Sequence, residues 1–223
     1  VQAALAGEPV SQSSCTLRAA PAEPIGLALA ADRARFVSGS GPLVVTARLR
    51  YAGPRGGRVV PIQLTSSDGL IEMIAGASDS GVTQVRWALP DRLGGRSQAT
   101  IRARTAGAPA LAAELVVPMD AGPTASVRLD GAPGSLVADG VSRARLVVRL
   151  EDAAGNPVRA AGLVARAHDT ELPIALEGDR PIVDYRAPEL ERPHVDLVRV
   201  RDPQTGTSGE IALTLRAPPR PFG

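Results

Sequence analysis

Residues 43–51 have the sequence Leu-Val-Val-Thr-Ala-Arg-Leu-Arg-Tyr, in which every odd-numbered position is apolar or aromatic. The even-numbered positions include Thr46, Arg48 and Arg50. Successive side chains of a strand point to opposite faces of a sheet, so this period of two predicts a strand with one buried and one solvated face. The same alternation occurs in residues 25–30, 85–89, 99–104 and 145–150.

Clusters of turn-forming residues separate these stretches. Gly, Pro, Asn, Asp and Ser are concentrated at 53–57, 66–69, 93–95, 155–157 and 205–209. Short strands at intervals of roughly 8–12 residues, with turn signals between them, are typical of antiparallel β-sandwiches. The 20 prolines disfavour a mostly helical protein. We therefore predict an all-β chain.

The chain contains one internal repeat. The alternating segments and the short Phe36-Val37-Ser38-Gly39 stretch of residues 27–49 recur at 127–150, about 100 residues later, the size of one immunoglobulin-like sandwich. This offset predicts two tandem immunoglobulin-like sandwiches, at 21–118 and 119–217. They are joined by the Pro-bearing stretch 118–123, preceded by an N-terminal extension (1–20) and followed by a Pro-rich tail (218–223).

Composition excludes several classes of function. The 25 basic residues, all of them Arg, nearly balance 23 acidic residues, so the net charge of +2 does not indicate a nucleic-acid partner. No run of about 18 apolar residues is present, so no helical membrane span is expected. Cys15 is the only cysteine, which rules out an intramolecular disulfide.

Two motifs in the second repeat carry a family resemblance. Leu136-Val-Ala-Asp139-Gly140-Val-Ser142, the strand after it, and Asp152-Ala-Ala-Gly155-Asn156-Pro157-Val158 resemble bacterial immunoglobulin-like domains of the invasin–intimin type. The first repeat departs from that pattern, since Ser38-Gly39 replaces Asp-Gly. The resemblance implies spacers and adhesive stalks on bacterial surfaces, with no catalytic residues to carry over.

The same two motifs are predicted to be structural turns. Asp139-Gly140 supplies a turn with one residue at positive φ, and Gly155-Asn156-Pro157 closes the next hairpin and fixes its exit. We expect Gly155 and Asn156 to set the register of that hairpin and not to form a binding site.

The search for catalytic and metal-binding chemistry commits no residue. With His168 and His194 the only histidines, distant in sequence, and one cysteine, the supply of zinc ligands is poor. Both histidines are expected to be ordinary surface residues. Calcium is more tenable at strand-end carboxylates, but solubilising turn acids are the favoured interpretation, so no metal and no cofactor is predicted. The carboxylates concerned are Asp130, Asp139, Glu151 and Asp152.

Rows of arginines and a few aromatic residues complete the candidates. The arginines at 48/50, 102/104, 143/145/149 and 199/201 are expected to cover a solvated outer face and pair across strands. Trp87 alternates with Val85 and Leu89 and is predicted to be a core residue, as is Tyr51 on its own strand. Carbohydrate stacking would then have to use Phe36, Tyr185 and Phe222.

These observations favour a non-enzymatic spacer or adhesive interaction module of a bacterial exported or cell-envelope protein. Its location would be periplasmic, outer-membrane-associated or on the cell surface, and its partners proteins of the envelope or of a host surface. The alternative is a structural or accessory subunit of a larger envelope assembly, such as a filament, secretion or outer-membrane complex. A carbohydrate-binding appendage of an enzyme is a third hypothesis.

Overall fold

The computed structural model describes residues 23–53, 60–75, 81–106, 110–159 and 162–219. Cys15, Phe222 and the predicted extension at 1–20 lie outside these residues, as does most of the predicted tail at 218–223. All regular secondary structure in the described residues is β-strand, which confirms the all-β prediction. Among those residues no helix is long and apolar enough to cross a membrane.

The first sandwich is built from two four-stranded sheets. One sheet has the order β1-β3-β6-β5 and the other has the order β2-β8-β7-β4. The strands are β1 (Pro24–Ala31), β2 (Phe36–Val37), β3 (Leu43–Tyr51), β4 (Ile62–Ser66), β5 (Leu70–Ala75), β6 (Val82–Ala88), β7 (Gln98–Thr105) and β8 (Ala112–Asp120).

The second sandwich repeats this arrangement with one additional strand. Its sheets have the orders β14-β15-β11-β9 and β10-β17-β16-β12-β13. The strands are β9 (Ser126–Asp130), β10 (Leu136–Val137), β11 (Arg143–Glu151), β12 (Val164–Ala167), β13 (Thr170–Leu172), β14 (Ile174–Glu177), β15 (Arg180–Arg186), β16 (His194–Arg201) and β17 (Ser208–Arg216).

Two short pairings differ from the expected antiparallel pattern. β2 pairs parallel with β8, matching Phe36 with Met119, and β10 pairs parallel with β17, matching Leu136 with Leu215. In each sandwich the chain leaves the sheet of its first strand and joins the edge of the other sheet for two residues. This crossover uses hydrogen-bonding groups that would otherwise form an open edge.

Each sandwich has its own hydrophobic core. Alternate residues of β3 are buried where the sequence period of two places them, from Leu43 to Leu49, while Arg48 and Arg50 face solvent. The two clusters of buried side chains share no residue. The first is centred on Phe36, Leu43, Val45, Val85, Trp87, Ile101 and Val117, and the second on Leu146, Val148, Val183, Tyr185, Val198, Leu213 and Leu215.

The outer faces carry the arginine rows, many of which pair with acids on neighbouring strands. Arg102 lies 2.7 Å from Glu114, Arg149 lies 2.7 Å from Asp130 and Arg199 lies 2.9 Å from Glu210. These partners are exposed, and such surface pairs contribute little to stability. Acids on neighbouring strands therefore pair with part of three of the four rows.

Strand β8 continues two residues past residue 118, the domain boundary expected from the sequence. Met119 and Asp120, assigned from sequence to the second domain, belong to β8, and Met119 is buried in the first core. Residues 121–125 alone connect the two sandwiches, between β8 and β9.

Trp87 is fully buried in β6, and its indole Nε1 donates a hydrogen bond to the Asp68 carbonyl at 2.8 Å. Replacing Trp87 by Ala should lower the free energy of unfolding by about 3–5 kcal/mol, because a large buried ring leaves a cavity that the sandwich refills only partly. Chemical denaturation measures this change. Leu70→Ala, at a side chain of the same sheet that is 72% exposed, is the matched control and should change stability little.

Candidate functional site at the junction of the two sandwiches

The loop that follows β11 brings the second sandwich against the first. Its two organising residues are Asp152 and Asn156, which are 5% and 2% exposed. We call the contacts among residues 38–39, 91–93, 120–124 and 152–156 the junction. Buried polar side chains must be hydrogen-bonded to be tolerated, so the partners of these two residues show what the junction does.

Asp152 shapes its own loop. Its Oδ1 accepts hydrogen bonds from the backbone amides of Ala154 and Asn156, at 2.9 and 2.8 Å. The backbone N–H of Asp152 donates to the Asn156 carbonyl at 3.0 Å, and that of Gly155 donates to the Asp152 carbonyl. The loop is therefore closed on itself, with Gly155 at φ +80°, a conformation that favours glycine.

The Asn156 side chain crosses to the first sandwich. Its Oδ1 accepts a hydrogen bond from the Leu93 amide at 2.7 Å. Its Nδ2 donates to the Asp91 carbonyl at 2.7 Å, and also lies 3.2 Å from Ser38 Oγ. One buried amide, from the only asparagine in the chain, thus satisfies two backbone groups of the 91–93 loop of the first sandwich and lies against Ser38 of a second loop.

Asp152 and the connection complete the junction. Asp152 Oδ2 accepts hydrogen bonds from the Gly122 amide and from Asn156 Nδ2, both at 2.8 Å. On the first sandwich, the Asp91 carboxylate accepts a hydrogen bond from the Gly39 amide at 2.9 Å. The second sandwich, the connection and the first sandwich are consequently joined by one continuous hydrogen-bond network.

Gly122 sits where no larger residue fits. A Cβ atom at this position would lie 2.8 Å from the Ser38 carbonyl oxygen, a backbone atom, and 3.4 Å from Asp152 Oδ2. The absence of a side chain lets the connection run directly against the first sandwich. A close approach of this kind is one of the specific uses of glycine.

The network also fixes the charge of Asp152. Burial by itself would raise the pKa of this carboxyl, but hydrogen bonds from the Asn156 side chain and from the Gly122 and Asn156 amides lower the pKa to about 2. Asp152 is therefore ionised at neutral pH, and its negative charge is held by N–H donors.

The structure gives the predicted turn residues different surroundings. Asp139 Oδ1 accepts the amides of Val141 and Ser142 at 2.9 and 2.7 Å, and Gly140 has φ +72°, so this pair forms a self-contained turn. Pro157 forms a bridge with Glu151 across the loop. The contact of Asn156 with the first sandwich was missed, because the repeat does not indicate which loops of the two sandwiches meet.

The candidate calcium carboxylates are not gathered into one site. Asp130 pairs with Arg149, whereas Asp139 and Asp152 accept N–H donors from their own loops. Within the described ranges, no group of three or more His, Cys, Asp and Glu residues is placed to hold a metal ion.

The two histidines, expected from the sequence to be ordinary surface residues, are exposed and lie close together. Their ring centroids are 5.7 Å apart. His168 Nε2 lies 2.9 Å from Oδ1 of Asp196, a carboxylate that is 2% exposed. Asp196 Oδ2 accepts a hydrogen bond from the Tyr185 hydroxyl at 2.6 Å. Burial, together with this bond to Asp196, raises the pKa of Tyr185.

The aromatic residues do not form a sugar-binding platform in the described part of the chain. Phe36 and Tyr185, two of the three candidates, are both buried in the cores. Phe222, the third, lies outside the described residues. Stacking on a carbohydrate needs an exposed ring face, so neither buried ring is available for it.

The sequence comparisons find no match, whereas solved structures share the fold. No protein-family model and no curated protein matches the chain. The Escherichia coli adhesin FdeC superposes with a TM-score of 0.56 at 15% identity, covering 90% of this chain and 66% of that one. Yersinia pseudotuberculosis InvD gives a TM-score of 0.54 at 17% identity, covering 86% of this chain and 57% of that one.

A protocadherin GammaB4 extracellular domain also superposes, with a TM-score of 0.50 at 15% identity, covering 86% of this chain and 33% of that one. This chain spans less than two thirds of the length of each of these structures. At such identities the likeness establishes the fold. The protein is a pair of immunoglobulin-like β-sandwiches similar to those of invasin-type adhesins, which confirms the resemblance predicted from residues 136–158.

The depressed pKa of Asp152 predicts loss of stability in acid. A carboxyl whose pKa is lower in the folded state stabilises the fold above its unfolded pKa, and this contribution, about 2 kcal/mol, is lost as the pH falls through about 2. Asp152→Asn should therefore flatten the decline in unfolding free energy between about pH 5 and pH 2, as measured by urea denaturation at each pH. Asp179→Asn, at an exposed carboxylate, should leave the decline unchanged.

Gly122→Ala should weaken the junction, because the new methyl group must displace the Ser38 carbonyl or the connection. We expect a loss of about 1–3 kcal/mol, the usual range for overpacking, measured by calorimetry. Gly134→Ala is the matched control, since a Cβ atom there meets nothing within 4 Å. Equal stability of the two variants would contradict the tight approach at Gly122.

Proposed function

We propose that this protein is a non-enzymatic spacer module of a bacterial exported or cell-envelope protein, in which two immunoglobulin-like domains are held in a fixed orientation. The observation that carries the proposal is the buried Asn156 side chain, which makes two hydrogen bonds to the 91–93 loop of the neighbouring sandwich. A spacer transmits position only if its units do not swing freely, and the junction supplies that constraint.

The junction is made by loops at the ends of the strands. No strand of one sandwich pairs with a strand of the other among the described residues. Domains linked in this way move relative to one another by default unless their interface resists it. The net contribution of each hydrogen bond to stability is about 0.5–1.5 kcal/mol. Breaking the junction also leaves buried donors and acceptors unpaired, which costs about 1–3 kcal/mol for each group.

The predicted turn residues take structural roles in this proposal. Asp139 and Gly140 set a local turn of the second domain, whereas Gly155 and Pro157 hold the loop that presents Asn156. We further infer that the two sandwiches are domains that fold as separate units, because each has its own core and five residues connect them.

The same fold supports a proposal of export and partner binding. Two structures that share it, FdeC and InvD, come from Escherichia coli and Yersinia pseudotuberculosis, and FdeC is described as an adhesin. We propose a location in the envelope or on the cell surface and protein partners of the envelope or of a host surface. No catalytic arrangement among the described residues supports an enzymatic role.

One surface favours the second candidate, an accessory subunit of a larger envelope assembly. β5 is the edge strand of its sheet and exposes Leu70, Met73 and Ile74, at 72%, 62% and 46%. An exposed apolar edge can accept a strand from another chain. A bulge between Met73 and Ala75 interrupts regular pairing along this edge, which limits such addition.

Small-angle X-ray scattering tests the spacer proposal. The wild-type profile should fit one orientation of the two sandwiches, because the junction holds it. Asn156→Ala should need an ensemble of orientations and show a broader distance distribution. Gln204→Ala, in the exposed turn between β16 and β17, is the control and should match wild type. A wild-type profile that fits only a broad ensemble would overturn the proposal.

A further inference from the structure

The second sandwich contains a buried carboxylate where the first has an alanine. Strand pairing matches Ala99 with Val117 in the first sandwich and Asp196 with Leu213 in the second. The parallel pairs of the two sandwiches match Met119 with Leu215. Val117 and Leu213 each lie two residues earlier on the same strand, so their partners Ala99 and Asp196 occupy equivalent positions. A carboxylate in an apolar core is costly unless it is paired.

The neighbours of Asp196 are also specific to the second sandwich. Tyr185 takes the position that Trp87 has in the first sandwich, opposite Ala144 instead of Leu43. His168 takes the position of Ser67, since Ala167 pairs with Val198 as Ser66 pairs with Ile101. Tyr185 and His168 both contact Asp196, and these three residues replace a tryptophan, a serine and an alanine of the first sandwich.

His168 is held in an unusual backbone conformation. It is the only non-glycine residue with positive φ among the described residues, at +50°, and it occupies the first position of the two-residue turn between β12 and β13. Glycine is the ordinary residue at such a position. The conformation directs the imidazole Nε2 to Asp196, although no aligned hydrogen bond reaches Asp196 Oδ1 from the described residues. Backbone strain of this kind is concentrated at functional sites.

We propose that His168 and His194 form a binding site for a divalent transition-metal ion of the zinc, nickel or copper class. Asp196 Oδ1 lies 2.9 Å from His168 Nε2, so the ring nitrogen left for the ion is Nδ1. A hydrogen bond from Nε2 to Asp196, formed when the ion binds, would complete the usual carboxylate–histidine–metal arrangement. Two imidazoles bound to one ion at about 2.0–2.1 Å have ring centroids about 5–6 Å apart. The observed centroid separation is 5.7 Å.

The site is open to solvent. His168 and His194 line a cavity of about 620 Å³ together with Leu190, Glu191 and Arg192. Two imidazoles are fewer than the three or four protein ligands of dedicated zinc sites, so water completes the coordination shell and modest affinity is expected. Asp196 is a positioning residue, because it acts on the ion through His168. Imidazole ligands favour copper, nickel and zinc over calcium and magnesium.

Isothermal titration of the full chain with zinc, nickel and copper salts tests the proposal. Cys15→Ser serves as the background and affinity tags are removed, so that no thiol or added histidine binds the metal. One ion should bind per chain, and calcium and magnesium should not bind at the same concentrations. His168→Ala and His194→Ala should each weaken zinc binding at least tenfold. Glu210→Gln, at an exposed carboxylate on β17, should leave it unchanged.

The Asp196→Asn variant tests whether Asp196 positions His168 for the ion or only stabilises the fold. It should weaken zinc binding about 10–100-fold, as loss of such an outer partner does, and the melting temperature measured with chelator present shows separately what the change costs in stability. If His168→Ala lowers that melting temperature, His194→Ala remains as a test at an exposed ring. Zinc affinity equal in the background protein and in the His168→Ala/His194→Ala double variant would overturn the site, as would absence of zinc binding to the background protein.

Discussion

The hydrogen bonds of the Asn156 amide are the constraint on which the relation between the two sandwiches depends. Asn156 bonds to the Leu93 amide and the Asp91 carbonyl, and is itself held by Asp152. The Asn156 and Asp152 side chains are almost completely buried. If the interface opens by only a small amount, water therefore cannot reach these groups to replace the hydrogen bonds that are lost. A small rotation between the sandwiches therefore leaves charged and polar groups unsatisfied, and this cost is what opposes bending.

The two sandwiches share one strand arrangement but have different buried side chains. In the first, Leu43 and Trp87 face each other across paired strands, and in the second Ala144 and Tyr185 take those positions. A smaller pair leaves room for a polar cluster, and the Tyr185 hydroxyl is satisfied by Asp196 at 2.6 Å. The shared strand arrangement thus forms around either interior, and the polar cluster of Tyr185, His168 and Asp196 is present only in the second sandwich.

Local sequence patterns predicted the strands well and the site poorly. The alternation in residues 43–51 and 145–150 identified β3 and β11 and their buried faces, since a period of two depends only on the geometry of a strand. The junction depends on which loops of two sandwiches meet, and neither Asn156 nor Ser38 carries a local signal of that contact. His168 and Asp196 are 28 positions apart in the sequence. They meet through the pairing of β12 with β16, which alternation does not specify.

Nuclear magnetic resonance relaxation of backbone ¹⁵N nuclei tests most directly whether the junction makes the two sandwiches one rigid body. In a rigid pair, amides in β3 and β7 of the first sandwich and in β11 and β16 of the second share one rotational diffusion tensor, with the long correlation time of the whole chain. We expect one tensor to fit both sandwiches of the wild-type protein. Separate, shorter correlation times for the two sandwiches would contradict the account, because they would show that the Asn156 hydrogen bonds do not couple them.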